Sequence, residues 1–197
     1  MSEETNYVFK VLLLGDSTVG KTCFLMRFTE NTFQEIHMST IGTDCRFKKM
    51  KIDDKKEATV QIWDFWQDRF RAITKNYYKG AHGILLIYDV TNKKTFENVR
   101  NWVTQIRENA SAKTIIYIVG NKIDDKEKRV VTKEEGEKMS TEFNLKFFEA
   151  SAKEDINIAP TFEGLVKDIY LTNGSEEEGG NGKLHGGSGK NKKICCK

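Results

Sequence analysis

The hydrophobic positions along the chain form short apolar runs that alternate with amphipathic segments. An uninterrupted apolar run suits a strand buried on both faces of a sheet, and apolar positions three or four residues apart suit a helix packed on that sheet. The pattern predicts six strands, at Tyr7–Leu14, Arg46–Ile52, Thr59–Trp63, Ile84–Tyr88, Ile115–Val119 and Phe147–Ser151. The second and third strands flank a turn-like stretch and should pair antiparallel. This alternation predicts an α/β fold with a doubly wound, mostly parallel six-stranded sheet and helices on both faces.

Terminal signals mark four helices, three between these strands and one after the last strand. The first is expected over Lys21–Phe28, directly after a glycine-containing loop. The other signals are Thr95 as an N-cap before the apolar face Phe96, Val99, Trp102, Val103 and Ile106, a Thr132–Glu135 capping box, and Pro160 in the first turn of a last helix ending near Leu171. Ligands of such sheets bind outside the carboxyl ends of the strands, where Gly15 and Asn121 are expected.

Length and composition predict one globular domain with an appendage. The chain has 197 residues, with 38% hydrophobic and 31% charged residues. Three segments are expected: an N-terminal extension 1–6, a folded domain 7–171, and a flexible tail 172–197 that is rich in Gly, Asn, Glu and Lys. The net charge of +3 is small and partly a property of the tail, so it gives no argument for nucleic-acid binding.

Targeting signals and cysteine usage favour a reducing cytosolic setting. No apolar run approaches the roughly 20 residues that span a bilayer. The N-terminus is acidic without an apolar signal segment, and Ser2 excludes N-myristoylation. The four cysteines do not form a disulfide framework, and Cys23 and Cys45 are expected to be small buried side chains.

The segment Gly15–Thr22 matches the phosphate-binding pattern G-x-x-x-x-G-K-[ST] in full. It lies between a predicted strand and a predicted helix, where successive backbone N–H groups can surround a phosphate. Gly15 and Gly20 allow the tight path of such a loop. Lys21 is expected to reach the β- and γ-phosphates, and the Thr22 hydroxyl to coordinate Mg²⁺. On the pattern alone, a chance glycine-rich turn remains the alternative.

Two further motifs follow later strands. Asn121-Lys122-Ile123-Asp124 comes after the fifth, and a carboxylate there can accept both N–H donors of guanine, which adenine does not offer. A site built around that carboxylate rejects a base lacking the donors. Ser151-Ala152-Lys153 follows the sixth strand. Each short pattern alone also fits a solvated loop, but the three in this order at strand ends indicate a guanine-nucleotide site.

At these residues the sequence resembles the Ras superfamily of small GTPases and, within it, the Rab family. The resemblance covers about Tyr7 to Tyr170 and the C-terminal cysteines. Further similar segments are Ser39-Thr40-Ile41-Gly42, Gln61-Ile62-Trp63-Asp64, Tyr77-Tyr78-Lys79-Gly80 and Ile87-Tyr88-Asp89-Val90-Thr91. The resemblance implies the small-GTPase fold, binding of GTP, GDP and Mg²⁺, and hydrolysis of GTP.

The resemblance also implies a role for individual residues. The nucleotide site would comprise Gly15, Ser17, Thr18, Val19, Gly20, Lys21, Thr22, Cys23, Phe33, Thr40, Asn121, Lys122, Asp124, Ser151, Ala152 and Lys153. Thr22, Thr40 and Asp64 would hold Mg²⁺, the last through water, and Phe33 would lie against the guanine. Ile41, Trp63 and Tyr78 would belong to the effector surface. The alternative for Thr40 is an ordinary loop residue, and for Phe33 a core aromatic.

The sequence departs from the Rab pattern at the segment Trp63–Phe70. Rab proteins carry Trp-Asp-Thr-Ala-Gly-Gln-Glu-Arg-Phe, whereas this chain is one residue shorter and lacks the glycine. Gln67 then stands in place of the catalytic glutamine, with Trp66 in place of the glycine or with the glycine deleted. Loss of one preorganised donor costs about 10²–10³ in rate. We therefore expect slow intrinsic hydrolysis, unless the loop rearranges so that Gln67 still works. Cys45, where Rabs usually carry Phe, should change which partners fit.

The chain ends in Cys195-Cys196-Lys197, which resembles the Rab double-cysteine ending and implies two geranylgeranyl groups. The expected protein is a monomeric switch of vesicle trafficking on the cytoplasmic face of intracellular membranes, with a cytosolic pool. Implied partners are effectors, an exchange factor, a GTPase-activating protein and a prenylation escort or GDP-dissociation inhibitor. The alternatives are a hydrolysis-deficient membrane scaffold, an ATP-using enzyme and a Ran-like or other cytosolic GTPase.

Overall fold

A computed structural model of the chain describes residues 7–33, 43–65 and 75–177. Their six strands are β1 (Tyr7–Leu14), β2 (Thr43–Lys51), β3 (Glu57–Phe65), β4 (Gly83–Asp89), β5 (Ile115–Asn121) and β6 (Lys146–Glu149). They form one sheet in the order β2-β3-β1-β4-β5-β6. β2 pairs antiparallel with β3, and every other neighbouring pair is parallel. The predicted fold class is therefore confirmed.

The helices of the described residues pack on this sheet. They are α1 (Lys21–Glu30), α2 (Lys75–Tyr78), α3 (Lys93–Glu97), α4 (Val99–Asn109), α5 (Lys133–Phe143) and α6 (Ile158–Glu177). The capping box of α5 forms as expected, with the Thr132 hydroxyl accepting from the Glu135 N–H and the Glu135 carboxylate from the Thr132 N–H. Pro160 lies in the first turn of α6, where its missing N–H costs no helical hydrogen bond.

Two helix boundaries differ from the sequence-based expectation. Thr95 is not an N-cap, because Asn92 caps α3 and Thr95 is buried inside that helix. The Thr95 hydroxyl instead accepts the Asp89 N–H at 3.0 Å and donates to the Asn92 carbonyl at 2.8 Å. The last helix runs six residues beyond Leu171 to Glu177. An Asn173 amide bond to the Ile169 carbonyl, at 3.2 Å, supports this extension.

Alternate residues of the central strand β1 contribute to two hydrophobic clusters, one on each face of the sheet. Val11 and Leu13 join the cluster built with α1 and α6, and Leu12 and Leu14 join the cluster built with α2, α3, α4 and α5. All four side chains are fully buried. The sheet is thus covered on both faces, as doubly wound topologies require. No helix within residues 7–33, 43–65 and 75–177 is long and apolar enough to cross a membrane.

Two tyrosines on neighbouring strands give a matched test of packing. Tyr88 on β4 is buried and its hydroxyl has no hydrogen-bond partner among the described residues. Tyr117 on β5 is equally buried but donates to the Asp168 carboxylate at 2.7 Å. Burial raises the pKa of both phenols, so both stay protonated at neutral pH. The buried Tyr88 hydroxyl therefore has no hydrogen bond within the described residues to compensate for the water it loses on folding.

We expect opposite effects when each hydroxyl is removed. Tyr117→Phe should lower the unfolding free energy by about 1–3 kcal/mol, because it abandons a charged acceptor. Tyr88→Phe should leave it unchanged or raise it by up to about 1 kcal/mol. Urea unfolding of both variants measures the difference. An equal loss of unfolding free energy in the two variants would contradict the conclusion that, within the described part of the chain, only the Tyr117 hydroxyl of this pair has a hydrogen-bond partner.

The cost of Tyr117→Phe should also depend on pH. Burial alone would raise the pKa of Asp168, but hydrogen bonds from Lys146 and Tyr117 together lower it below its ordinary 3.8. A carboxyl with a lowered pKa in the folded state stabilises above its unfolded pKa and loses that stabilisation as pH falls. The penalty should be full at neutral pH and shrink below pH 3.8.

Candidate functional site

The loop after β1 follows a path that two glycines make possible. Gly15 has φ 132° and Gly20 has φ 94°, a region that side chains rarely adopt. A Cβ on Gly15 would lie 1.9 Å from the Ile87 carbonyl oxygen, and one on Gly20 would lie 2.6 Å from the Asn121 amide nitrogen. The loop therefore passes directly against β4 and β5, and substitution at either position would displace it.

The end of the loop presents a positive helix terminus. Gly20 is the N-cap of α1 and offers no capping side chain, so the first N–H groups of α1 keep the polarity that favours an anion. Lys21 is 7% exposed, and its ammonium donates to the carbonyls of Gly15 at 2.9 Å and Asp16 at 2.6 Å. Val19 is buried, Ser17 is half-buried and Thr18 is exposed. This arrangement suits a bound phosphate.

Two side chains at the end of β5 hold the loop from outside. The Asn121 amide donates to the Val19 carbonyl at 2.8 Å, and the Lys122 ammonium donates to the Thr18 carbonyl at 2.9 Å. Lys122 itself has the left-handed φ of 69° and pairs with Asp89 at 2.6 Å. The loop and the Asn-Lys-x-Asp motif, far apart in sequence, therefore form one bonded unit.

The third motif joins the same unit. The Ser151 hydroxyl donates to the Asp124 carboxylate at 2.6 Å, and the Ala152 N–H lies 3.3 Å from the Asn121 amide oxygen. Ser151, Ala152 and Asn121 are buried, and Asp124 is half-buried. One Asp124 oxygen is thus oriented by a neutral hydroxyl, a geometry that suits recognition of one ring N–H and one exocyclic amino N–H.

Arg27 on α1 supports the motif at β6 and was not identified from the sequence. Its guanidinium donates to the carbonyls of Ala152 at 2.8 Å and Lys153 at 3.0 Å. It also donates to Asn31 at the end of α1. The Lys153 side chain is exposed, and the contact from Arg27 fixes its backbone. The arginine therefore ties the base-recognition loop to the helix that starts at the phosphate loop.

Thr22 and Asp64 provide the oxygen atoms expected for a cation. The Thr22 hydroxyl donates to the Asp64 carboxylate, which is 1% exposed at the end of β3. Hydroxyl and carboxylate oxygens are hard ligands of the kind that Mg²⁺ prefers. Within the described residues, no cluster of three or more acidic, His or Cys side chains could hold a metal alone. The donor set thus fits an ion that takes its other ligands from water and a nucleotide phosphate.

Two residues predicted for the nucleotide site lie at its edge. Phe33 is half-buried and packs against the hydrophobic cluster of α1 and α6, so its contact with a base stays a prediction. Cys23 is half-buried beside Thr22. Burial raises the pKa of Cys23 above its ordinary value despite the nearby Lys122, and the thiol stays neutral.

The predicted effector residues differ in exposure. Trp63 on β3 is half-buried, lies opposite Cys45 of β2, and has the Lys10 ammonium 5.6 Å from its ring centroid. Lys10 also donates to the Tyr77 carbonyl at 2.8 Å and so joins β1 to the end of α2. Tyr78 is only 2% exposed, and burial raises its pKa to about 12. Its side chain adds no accessible surface here, and its effector role stays a prediction.

Five predicted residues lie outside the described ranges: Thr40, Ile41, Gln67, Cys195 and Cys196. The residues that the sequence did not reveal are Asp16, Arg27, Asp89, Asn98 and Trp102. Each takes part in a hydrogen bond or ion pair that joins a motif segment to a segment distant in sequence. Local spacing carries no signal for such contacts, although Asp16 lies within Gly15–Thr22 and Asp89 within Ile87–Thr91, and these positions could have marked them.

Comparison with known proteins agrees with this arrangement. The model of the Ras family matches residues 10–171. The chain is 47% identical to Ras-related protein Rab-8A of Rattus norvegicus over 189 residues, covering 94% of this chain and 91% of that protein. It is 48% identical to Rab-8B of Bos taurus over 170 residues (86% and 82%) and 44% identical to Rab-13 of Mesocricetus auratus over 184 residues (93% and 90%).

The match extends through all three motifs of the site and far beyond them. Its coverage excludes a chance resemblance of short loops, which was the alternative for each motif taken alone. The chain therefore belongs to the Ras family and is a Rab-family small GTPase.

Proposed function

We propose that this protein is a membrane-attached guanine-nucleotide switch of vesicle trafficking that hydrolyses GTP slowly. The observation that carries the proposal is the bonding of three motifs into one unit at the carboxyl edge of the sheet. Asn121 and Lys122 contact the phosphate loop, and Asp124 contacts Ser151. A nucleotide held by this unit would be recognised at its phosphates and its base together.

The chain's own residues have separate tasks in nucleotide binding. The N–H groups of Gly20, Lys21 and Thr22 lie at the start of α1, where a helix terminus suits phosphates. The Lys21 ammonium, which bonds to loop carbonyls here, supplies positive charge at the same place. Asp124 accepts the two N–H donors of guanine, and Ser151 orients its carboxylate. Adenine would leave that charge unpaired.

Mg²⁺ fits the oxygen atoms of Thr22 and Asp64, with Thr40 as a further expected ligand. When bound, the ion would neutralise phosphate charge and position the terminal phosphate. Asp64 accepts a hydrogen bond from Thr22, so these two side chains are already held together. We propose that Thr40 and the segment from Asp64 to Tyr78 order around GTP and are released after hydrolysis.

Hydrolysis depends on the segment after Trp63, where the usual glycine is missing. We propose that Gln67 orients the attacking water but that the lost backbone donor lowers the intrinsic rate. GTPase activity is the property of the family to which the chain belongs. A scaffold without any hydrolysis is therefore not favoured, and Asp124 argues against an ATP-using enzyme.

The C-terminal cysteines carry the proposed membrane attachment. Two prenyl chains on Cys195 and Cys196 give stable anchoring where one gives marginal binding. Lys190, Lys192 and Lys193 would add attraction to anionic lipids. We propose that the protein works as a monomer on the cytoplasmic face of intracellular membranes. Effectors, an exchange factor, a GTPase-activating protein and an escort protein would act on it there.

Base selectivity gives the first test. Fluorescent GDP bound to the protein should be displaced by GTP and not by ATP. Asp124→Asn should weaken GDP binding about 10–100-fold, because it removes a charged acceptor. The matched control is Asp125→Asn on the same loop, whose carboxylate bonds to Lys128 rather than Ser151. Equal competition by ATP, or equal effects of the two variants, would refute guanine recognition by Asp124.

Single-turnover hydrolysis of preloaded GTP tests the catalytic proposal. We expect a rate well below that of a Rab protein carrying the usual glycine, and insertion of glycine after Trp66 should raise it at least about tenfold. Gln67→Ala in the glycine-restored chain should lower it again. An ordinary rate in the natural sequence would show that the shortened segment reaches a working geometry.

Intact-mass measurement tests the tail. Protein made in eukaryotic cells should carry the mass of two isoprenoid groups and sediment with anionic vesicles. Cys195→Ser with Cys196→Ser should abolish both properties, while Cys45→Ser should abolish neither. An unmodified natural chain would favour a Ran-like or other cytosolic GTPase.

A further inference from the structure

The acidic residue of the phosphate loop, Asp16, is bonded to a helix that carries none of the nucleotide motifs. Its carboxylate accepts from the Asn98 amide at 2.6 Å and from the Trp102 indole N–H at 2.9 Å. Asn98 is the residue between α3 and α4, and Trp102 lies in the first turns of α4. One donor is thus assigned to each carboxylate oxygen.

The same residue also bonds through its backbone. The Asp16 carbonyl accepts the Lys21 ammonium at 2.6 Å, beside the Gly15 carbonyl at 2.9 Å. Any shift of Asp16 therefore moves an acceptor of the lysine expected at the phosphates. The Asp16 side chain thus bonds this part of the loop to Asn98, the N-cap of α4, and to Trp102 within α4.

Charge gives a second reason for the contact. Asp16 lies in a loop proposed to bind a polyphosphate, and a free carboxylate there would repel the ligand. Two N–H donors hold the carboxylate toward α4 and reduce its negative potential. Neither donor has a competing task shown here: the Asn98 side chain makes no capping bond to α4, and the Trp102 ring packs against the cluster of α2 to α5.

We infer that Asn98 and Trp102 are positioning residues that clamp Asp16 and thereby slow the release of the nucleotide. The inference rests on the proposed function, since it assigns a support to the same nucleotide site. Neither residue touches the proposed ligand. Both act through the loop, and their effect should appear in the dissociation rate.

The test measures dissociation of fluorescent GDP from the full chain. Trp102→Phe, which keeps an aromatic ring but removes the N–H, and Asn98→Ala should each accelerate dissociation about tenfold, the effect of losing one hydrogen bond to a charge. Asp16→Asn should keep dissociation slow. Its amide oxygen can accept from Trp102, and its NH₂ can donate to the side-chain oxygen of Asn98 after the Asn98 amide rotates. Asn109→Ala is the matched control, since that amide bonds only within α4.

A double variant separates positioning from packing. If Trp102 acts through Asp16, then Trp102→Phe should add nothing to the dissociation rate of Asp16→Ala. Loss of ring packing would instead lower the melting temperature and change the rate equally in both backgrounds. Equal acceleration in both backgrounds, or natural dissociation rates in folded single variants, would overturn the clamp. Failure of the natural chain to bind GDP would refute the proposed function instead.

Discussion

The site depends on one constraint: the carbonyl groups of the phosphate loop must be occupied by side-chain donors. The loop has no regular backbone pairing of its own, so its carbonyls would otherwise compete for its own N–H groups or face the ligand. The Asn121 side chain donates to the Val19 carbonyl, and the Lys122 side chain donates to the Thr18 carbonyl. The parallel pairing of β1, β4 and β5 brings these side chains to the loop. The sheet order thereby leaves the N–H groups at the start of α1 for an anion.

The same edge of the sheet must also accommodate four carboxylates near a polyphosphate. Asp64 accepts from Thr22, Asp124 from Ser151, Asp16 from Asn98 and Trp102, and Asp89 from Thr91 and Lys122. Neutral donors contact three of them, and Asp89 is paired with the Lys122 cation. These bonds fix the direction of each carboxylate. A carboxylate can then interact with a base or an ion without rotating toward the phosphates.

The sequence predicted the elements of the sheet and the three motifs because both are local patterns. Apolar runs identify strands such as Gly83–Asp89, where every residue is buried, and motif spacing identifies Gly15 to Thr22. The supporting residues were missed because Arg27 and Ala152, or Asp16 and Trp102, meet only after folding. Thr95 was misassigned for a related reason. Its hydroxyl has a tertiary partner in β4, and Asn92, a better placed cap, precedes it.

The antiparallel pair β2 and β3 shows how a family surface changes without a change of fold. Cys45 faces Trp63 across the pair, and the alternation of a strand puts Phe47 on the same side of β2, opposite Gln61. Phe47 is 62% exposed, so the accessible aromatic lies two residues, about 7 Å, beyond the position where Rabs usually carry one. The register of the strands is unaltered. This face of the pair therefore presents a thiol opposite Trp63 and an exposed phenyl ring two residues farther along β2.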